Sequence, residues 1–360
     1  MNRSVVIAPD SYKGTISATA ASEAIAAGWR SVWPNDELVL LPQADGGEGT
    51  LDAIEAATPG AVRHSIANIA GPDNRSRHTG EWLELPGGTA VVELAQCAGL
   101  PLMTTPNPLG ATSRGLGDVI AAALAAGATS LVIGLGGSAS TDGGAGALEA
   151  LGLRLMDVAG SPLPPGGAAL ANLDRIDAQG LAGAPAGGVT LLTDVDAPLL
   201  GATGAAAVFG PQKGALPQDV ALLDAALERF ALVIGGDPVR AGAGAAGGTA
   251  FGFVNLWGAT IESGARRIAA LSGLTQALAT ADVVLTGEGR FDSQSFTGKV
   301  VGTVLSLAGD TRVGIIAGSV DFETETWNVA LTELAGSTEA AMAEPARWLE
   351  AAGAQAAREL

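Results

Sequence analysis

The sequence predicts an α/β fold with two domains. Apolar runs typical of buried strands alternate with helical segments over most of the chain, which indicates helices packed on largely parallel sheets. With 360 residues the chain exceeds what one hydrophobic core usually serves, and its 48% hydrophobic content is enough for two. Residues 61–94 depart from the alternation, and this break predicts an insertion.

The elements follow in order from the spacing of apolar residues. A strand is predicted over 4–8, a helix over 15–33 and a second strand over 38–41. Short alternating runs in 61–94, separated by turn residues at 71–74 and 86–88, predict antiparallel hairpins. Further strands are predicted over 130–133, 189–193, 282–286 and 313–317, with helices over 141–151 and 220–230. We expect the N-terminal strands to share a sheet with those near Val283 and Val313.

Composition excludes several classes of partner. A net charge of −18 argues against binding to nucleic acid or to anionic lipid, since both require a basic surface. The apolar stretch 119–135 is interrupted by Gly127 and Thr129 and indicates a buried helix and strand, so we expect no membrane contact. One cysteine, Cys97, and an N-terminus without a signal-peptide pattern favour the cytoplasm. The sequence leaves open whether the protein is a monomer or a homodimer.

The chain has three lysines, and each is adjacent to a glycine: Lys13, Lys213 and Lys299. Arginine supplies the other cationic side chains, so lysine is kept where a compact point charge can stand beside closely approaching backbone. Phosphate is the ligand that most often requires this pairing, and an acidic protein must build such local positive potential to hold any anion.

Glycine-rich segments with acidic residues follow the predicted strands, where α/β proteins bind their ligands. Glycine lets backbone N–H groups approach an anion, and a nearby carboxylate can hold Mg²⁺ or a hydroxyl, a combination suited to phosphoryl transfer. The same glycines are also compatible with simple tight turns. The segments are 10–15, 44–50, 134–144, 193–196 and 286–292, and Asp-Gly-Gly begins at both Asp45 and Asp142.

Among known local motifs, only the dinucleotide-binding pattern offers an alternative function. The chain has no P-loop and no protein-kinase signature, and His64 and His78 are predicted as solvated strand residues. The segment from Gly134 through Gly136 to Ala139 fits G-x-G-x-x-A, with Asp157 about twenty residues on, a spacing typical of dinucleotide binding. An NAD(P)-dependent oxidoreductase acting on a small hydroxy acid is therefore the alternative, and a ligand sensor without turnover is a further one.

Several blocks in fixed order resemble the bacterial glycerate kinase family, in particular those forming 2-phosphoglycerate. The blocks are IAPDSYKGT, LPQADGGEGT, VELAQCAGL, GLGGSASTDGGAGALEALG, AAAVFGPQKGA, GAGAAGG and DVVLTGEGRFD followed by TGK. They extend from Ile7 to about Ala317. The chain departs from the family after Ser138-Ala139-Ser140, where asparagine is common, and at Ala197 and Arg114.

The resemblance implies ATP-dependent, Mg²⁺-requiring phosphorylation of D-glycerate, with 2-phosphoglycerate favoured over the 3-phosphate, in glycerate, glyoxylate or sugar-acid catabolism. It also implies a flavodoxin-like or Rossmann-like domain formed by both chain ends, with a second α/β domain inserted and the ligand cleft between them. We expect residues 1–60 and 281–360 in the first domain and 61–280 in the second.

Phosphoryl transfer to a hydroxyl requires a base, neutralised phosphate charge and a partner for the substrate carboxylate. Asp194 is the predicted base, Asp45 is the second candidate, and Lys13 is predicted to act in catalysis beside them. Glu288 and Asp292 are the predicted Mg²⁺ ligands. The residues predicted to bind substrate or phosphate are Asp10, Ser11, Gly46, Gly47, Gly134, Gly136, Gly137, Ser138, Lys213, Arg290 and Lys299.

Overall fold

A computed structural model of the chain describes residues 2–12, 14–296 and 299–360. The predicted site residue Lys13 lies outside the described residues. The strands are β1 Ser4–Ile7, β2 Glu37–Leu40, β3 Val62–Ala70, β4 Arg77–Leu85, β5 Thr89–Glu93, β6 Ser130–Gly134, β7 Arg154–Met156, β8 Arg175–Asp177, β9 Val189–Leu192, β10 Thr260–Glu262, β11 Val283–Phe291, β12 Arg312–Val320 and β13 Trp327–Ala330. The α-helices are α1 Ala18–Val32, α2 Thr50–Ala57, α3 Leu94–Ala98, α4 Arg114–Ala125, α5 Ala145–Ala150, α6 Ala205–Phe209, α7 Pro217–Ile234, α8 Ala245–Trp257, α9 Gly264–Leu271, α10 Leu274–Leu278, α11 Val300–Ala308, α12 Leu331–Ala335, α13 Thr338–Ala343 and α14 Pro345–Glu359. Short 3₁₀ helices occur at Leu100–Leu102, Gly167–Asn172, Pro211–Lys213 and Ser293–Phe296.

The chain has a two-domain α/β fold. Its contacts form two units: the first comprises Met1–Asp45, Asp52–Pro59 and Ser263–Leu360, and the second comprises Gly46–Leu51 and Gly60–Glu262. The first unit therefore resumes at Ser263, ahead of the predicted residue 281. The physical reason is packing, because Ala265 of α9 and Leu274 of α10 lie in one buried cluster with Val6 and Val284.

The first unit contains a five-stranded sheet in the order β2-β1-β11-β12-β13, with every neighbouring pair parallel. Within this unit the strands follow the order 2-1-3-4-5, which is the flavodoxin-like doubly wound arrangement. The order reverses between β1 and β11, whose register pairs Val5 with Val283 and Ile7 with Leu285. The expectation that strands from the two ends of the chain share a sheet is confirmed.

Both faces of this sheet are covered, which explains the continuous apolar run of β1. Val5 and Ile7 point to the face covered by α1 and α14, where Trp29 and Leu349 are fully buried. Val6 points to the opposite face, which packs against α9, α10 and α11. The alternation of side chains along one strand thus supplies two separate clusters of the core.

The second unit contains a six-stranded sheet in the order β3-β4-β5-β6-β9-β10. The β3-β4-β5 portion is antiparallel, which confirms the predicted hairpins, and the strands from β5 to β10 pair in parallel. The first hairpin turn is closed by Asp73, whose carboxylate accepts hydrogen bonds from the backbone N–H groups of Arg75 and Ser76 at 2.9 and 2.8 Å. Because the strands from β5 to β10 are parallel, the carboxyl ends of β5, β6, β9 and β10 meet at one edge of the sheet.

Two elements differ from the sequence expectation for reasons of backbone conformation. The helix expected from residue 141 begins only at Ala145, because Gly143 and Gly144 adopt φ values of +65° and +77°, which an α-helix does not allow. The glycine-rich segment 286–292, expected as a loop, continues β11 as far as Phe291 and pairs with β12. A side chain at Gly287 would meet the backbone oxygen of Ile316 at 1.8 Å, so glycine is required for this pairing.

Among the described residues, no helix is both long enough and apolar enough to cross a membrane.

Candidate active site

The first unit has a cavity of about 390 Å³ at the carboxyl ends of β1 and β11. This is the position where the strand order reverses and where open α/β sheets bind their ligands. Backbone pairing continues past the strand ends here, since the N–H of Asp10 donates to the carbonyl of Gly287 at 2.8 Å. The cavity brings together six of the predicted site residues: Asp10, Ser11, Asp45, Glu288, Arg290 and Lys299.

Asp10 and Ser11 are held in place by the loop after β1. The Asp10 carboxylate accepts a hydrogen bond from the Ser11 backbone N–H at 2.6 Å, and both residues are more than nine-tenths buried. The Ser11 hydroxyl is buried and has no hydrogen-bond partner among the described residues. A buried hydroxyl without a partner is costly, so this atom is suited to a ligand that completes its hydrogen bonding.

Tyr12 forms part of the cavity lining, and the sequence interpretation did not single it out. Its hydroxyl donates to the backbone oxygen of Ile316 at 2.6 Å, which ties the loop after β1 to β12. Burial, and then the nearby charges of Glu288 and Asp10, raise the pKa of this phenol well above its usual range. Tyr12 therefore stays neutral. The sequence could have pointed to Tyr12, since it is the only tyrosine of the chain and lies between the two predicted site residues Ser11 and Lys13.

Glu288 and Lys299 provide opposite charges in the same cavity. Burial raises the pKa of Glu288, as do the nearby Asp292 and Asp45, while a hydrogen bond from Ser295 and the charge of Lys299 lower it. One Glu288 carboxylate oxygen, Oε1, is buried without a hydrogen-bond partner among the described residues. Lys299 is half-buried, lines the cavity and is the N-cap residue of α11, whose first turn carries the positive end of the helix dipole.

Asp292 and Arg290 are engaged elsewhere. Asp292 accepts from the Gln294 backbone N–H at 2.8 Å at the start of the 3₁₀ helix and does not line the cavity. Arg290 lines it, but its Nε lies 2.7 Å from an oxygen of Asp321 and its side chain is 67% exposed. Of the two predicted Mg²⁺ ligands, the structure brings only Glu288 into the cavity.

Mg²⁺ bound with a nucleotide fits these residues. In such sites the ion is usually held by one or two carboxylates, by substrate phosphates and by water. Across the part of the chain that the structure describes, no cluster of three or more His, Cys, Asp or Glu residues forms a cage for a metal ion. The buried Glu288 Oε1 is a hard oxygen ligand of the kind that Mg²⁺ prefers, and the buried Ser11 hydroxyl can donate a hydrogen bond to a phosphate oxygen.

In the second unit, Lys213 is fully buried and supports the loop after β6. Its Nζ donates to the Ser138 hydroxyl at 2.9 Å and to the backbone oxygen of Ser140. Burial lowers the pKa of Lys213 to about 8, and the opposing attraction of Asp142 keeps it from falling further. Both of these hydrogen bonds go to the 138–140 segment, and a role of Lys213 toward phosphate stays a prediction.

Asp142, which begins the second Asp-Gly-Gly, anchors backbone. It accepts from the N–H and hydroxyl of Ser113 at 2.8 and 2.9 Å, and from the N–H groups of Gly144 and Gly146, both at 3.2 Å. Burial, and then the charge of Asp142, raise the pKa of half-buried Glu149 to about 7, while the charge of Arg114 lowers it. The hydrogen bonds of the Asp142 carboxylate therefore shape the start of α5.

The predicted glycines at 46, 47, 134 and 136 allow two loops of the second unit to touch. The N–H of Gly136 donates to the oxygen of Gly46 at 3.0 Å, and a side chain at Gly136 would meet the Gly47 α-carbon at 2.4 Å. A side chain at Gly134 would meet the oxygen of Gly46 at 2.6 Å. Close packing therefore requires these glycines. Gly137, with φ +74°, makes the turn that leads to Ser138.

Two acids lie at strand ends of the same sheet. Asp194 is half-buried directly after β9, in a turn where the Val195 N–H donates to the Thr193 hydroxyl at 3.2 Å. Glu93, which sequence reasoning did not select, ends β5 fully buried and accepts from the N–H groups of Gly49 and Leu51 at 3.3 and 3.1 Å. Glu93 thus fixes the loop that carries Gly46 and Gly47.

Comparison with known proteins identifies the family. The model of the glycerate kinase family matches residues 5–360. The chain is 42% identical to glycerate 2-kinase of Escherichia coli K12, over 84% of this chain and 81% of the relative. It is 41% identical to glycerate kinase of Bacillus subtilis 168, over 88% and 85%. The chain belongs to the glycerate kinase family.

Membership of the family extends to the three-dimensional structure. A crystal structure of a Salmonella typhimurium LT2 protein assigned as glycerate kinase 2 matches with a TM-score of 0.80 and 35% identity, covering 99% of this chain and 98% of that one. The predicted family is confirmed, and the chain is an enzyme of the kinase class.

The dinucleotide-binding alternative is not supported. In a Rossmann unit the strand that ends in the acidic residue lies beside the strand before the glycine loop. Here β7, which precedes Asp157, pairs antiparallel with β8 in a separate two-stranded sheet. The Asp157 carboxylate accepts from the N–H groups of Ala159 and Ser161 at 2.9 and 2.8 Å and so closes its own turn.

We predict that Lys213→Met changes how the stability of the protein depends on pH. The pKa of Lys213 falls from 10.5 to about 8 on folding, so between these values the unfolded chain binds more protons. Stability therefore rises with pH through this window. A tenfold change in proton affinity corresponds to ~1.4 kcal/mol, so the free energy of unfolding of wild type relative to Lys213→Met should rise by up to ~3 kcal/mol.

Urea unfolding followed by circular dichroism at pH 7.5 and 10.5 measures this difference. Ser138→Ala is the matched control, because it removes one acceptor of the ammonium but keeps the titrating group, so its stability relative to Lys213→Met should still rise between the two pH values. A difference between wild type and Lys213→Met that is the same at both pH values would contradict a buried, charged Lys213.

Proposed function

We propose that the protein transfers the γ-phosphoryl group of ATP, as its Mg²⁺ complex, to a hydroxyl of D-glycerate, with 2-phosphoglycerate as the favoured product. The relatives named as glycerate kinases, including the glycerate 2-kinase at 42% identity, support the substrate. The observation that carries the proposal is the cavity at the β1 and β11 ends, where Lys299 stands among buried acids.

The reaction needs only a few groups. The acceptor oxygen forms a bond to the γ-phosphorus, the bond to the β,γ-bridging oxygen breaks, ADP leaves, and the acceptor proton passes to a carboxylate. Bound Mg²⁺ would neutralise phosphate charge, with Glu288 as a ligand and Asp45 beside it. Lys299 would hold phosphate oxygens as a point charge.

Asp194 is the proposed base, and Asp45 is the second candidate. Asp45 lines the cavity with Glu288 and contributes to raising its pKa, so it is already employed among the charges of that cavity. Asp194 belongs to the other unit and lies at a strand end, where an acceptor hydroxyl is commonly held. The remaining predicted contacts, among them Lys13, Lys213 and Gly134 to Ser138, are proposed to bind phosphate or the glycerate carboxylate.

Proton-coupled phosphorus NMR of the protein with ATP, Mg²⁺ and D-glycerate tests the reaction. We expect ADP and one new phosphomonoester signal, split into a doublet because the 2-phosphate is attached to a CH group. A triplet would indicate the 3-phosphate and would overturn the regiochemistry alone. Binding of D-glycerate without any new signal would contradict the kinase proposal and favour a ligand sensor. A reaction of D-glycerate with NAD(P) in place of ATP would favour the oxidoreductase.

Aspartate-to-asparagine variants test the assignment of the base. We expect Asp194→Asn to lower kcat by ~10²–10⁴-fold with a smaller change in KM, since the loss of a positioned base acts on the chemical step. Asp45→Asn should chiefly raise the Mg²⁺ concentration needed for half-maximal rate. Asp196→Asn, in the same loop and exposed, is the matched control and should keep the wild-type rate.

The opposite pattern decides against this assignment. If Asp194→Asn keeps wild-type kcat while Asp45→Asn loses it at saturating Mg²⁺, then Asp45 is the base. Circular dichroism spectra of each variant identify any loss that comes from misfolding.

A further inference from the structure

The cavity of the first unit has two chemically different walls. Asp10, Ser11, Glu288 and Lys299 form the polar wall at the ends of β1 and β11. The second wall comes from α12–α14 and is mostly apolar, with Leu331, Ala341, Met342 and Pro345 joined by Thr332 and Thr338; it is called the apolar wall below. This segment follows the family-like sequence blocks, and sequence reasoning assigned it no function.

The apolar wall is unsuited to a small hydroxy acid. Every part of such a molecule is a carboxylate, a hydroxyl or a carbon next to one, and polar groups buried against apolar side chains without partners are costly. The cavity volume of about 390 Å³ also falls in the range of sites that enclose a ligand of drug size. A flat, largely apolar ring system linked to a polar group fits both the volume and the division into two walls.

The polar wall combines the ammonium of Lys299 with the carboxylates of Asp10, Asp45 and Glu288, a set that suits a phosphate chain with its Mg²⁺. Lys299 lines the cavity and is the N-cap residue of α11, a nine-residue helix. The positive end of the helix therefore adds to the charge of the ammonium. The buried Ser11 hydroxyl and Glu288 Oε1 have no hydrogen-bond partners among the described residues and line the same cavity. Together they suit phosphate oxygens and the Mg²⁺ that accompanies them.

The position in the fold agrees with this division. Doubly wound sheets bind mononucleotides at the carboxyl ends of the strands where the order reverses, and here those strands are β1 and β11. Met342 is 53% exposed at the edge of the cavity, and its flexible thioether can pack against the face of an aromatic ring.

We infer that this cavity is the nucleoside subsite for ATP, with the adenine against the apolar wall of α12–α14 and the phosphates toward Lys299 and the start of α11. The inference rests on the proposed function, because the identity of the nucleotide comes from it. It assigns to residues 331–345 the selection of the nucleotide, and it separates that role from glycerate binding.

Direct binding of two fragments tests the subsite. By titration calorimetry, adenosine probes the apolar wall and inorganic tripolyphosphate with Mg²⁺ probes the polar wall. We expect Met342→Ala to weaken adenosine about fivefold and Thr338→Trp, an exposed lining residue filled with a bulky ring, to weaken it at least ~10-fold, with tripolyphosphate unchanged. Lys299→Ala should weaken tripolyphosphate ~10-fold and leave adenosine within twofold. Met103→Ala, a methionine of the other unit, is the matched control and should change neither.

Photolabelling gives a second measurement that does not depend on turnover. Irradiation with 8-azido-ATP should label peptides from residues 331–345, and excess ATP should prevent this labelling. Labelling confined to the second unit, for example around 134–138, together with unchanged adenosine binding in Met342→Ala and Thr338→Trp, would overturn the inference.

The two proposals fail in different ways. If the protein phosphorylates D-glycerate with ATP, but adenosine affinity and KM for ATP are unchanged in the α12–α14 variants, the function stands and the subsite is wrong. If ATP supports no phosphorylation and adenosine does not bind, the function itself fails. In working variants, KM for ATP should rise and KM for D-glycerate should stay unchanged.

Discussion

The parallel pairing of β1 with β11 is the constraint on which the candidate site depends. It joins residues 278 positions apart in sequence, as the hydrogen bond from the Thr286 hydroxyl to the Ala8 oxygen illustrates. Because parallel strands end at one edge, this register brings Asp10 and Ser11 beside Glu288. The order of strands reverses at the same place, so the loops diverge and leave a cavity. The burial of Asp10 and Glu288 at one place follows from that pairing.

Much of this arrangement could be predicted from the sequence. The apolar runs at 4–8 and 282–286 indicated buried strands, and their covering on both faces explains why neither run alternates with polar residues. The acids at their ends, Asp10 and Glu288, were selected because such ends carry ligands. The turn residues at 71–74 and 86–88 likewise predicted the antiparallel part of the second sheet. In each case the signal was local, in one strand or one turn.

The remainder depends on contacts that no local pattern encodes. Each of the three lysines is adjacent to a glycine in sequence. Lys213 is nevertheless buried against the 138–140 loop, whereas Lys299 lines the cavity at the start of α11. Only tertiary packing separates these two environments. Asp142 and Asp45 likewise share the Asp-Gly-Gly motif, but the first anchors backbone of α5 and the second lines the cavity. The apolar wall is formed by helices α12–α14, and no motif in their sequence marks them as ligand-binding.

The central claim is that β1 and β11 create the site for the nucleotide that this kinase uses. A crystal structure with Mg²⁺ and an ATP analogue whose β,γ-bridging oxygen is replaced by NH tests it most directly. We expect phosphate oxygens within hydrogen-bonding distance of Lys299 and the Ser11 hydroxyl, and the adenine in contact with Met342. A nucleotide bound in the second unit, on the 134–138 loop, with only solvent in the cavity of the first unit, would contradict the claim.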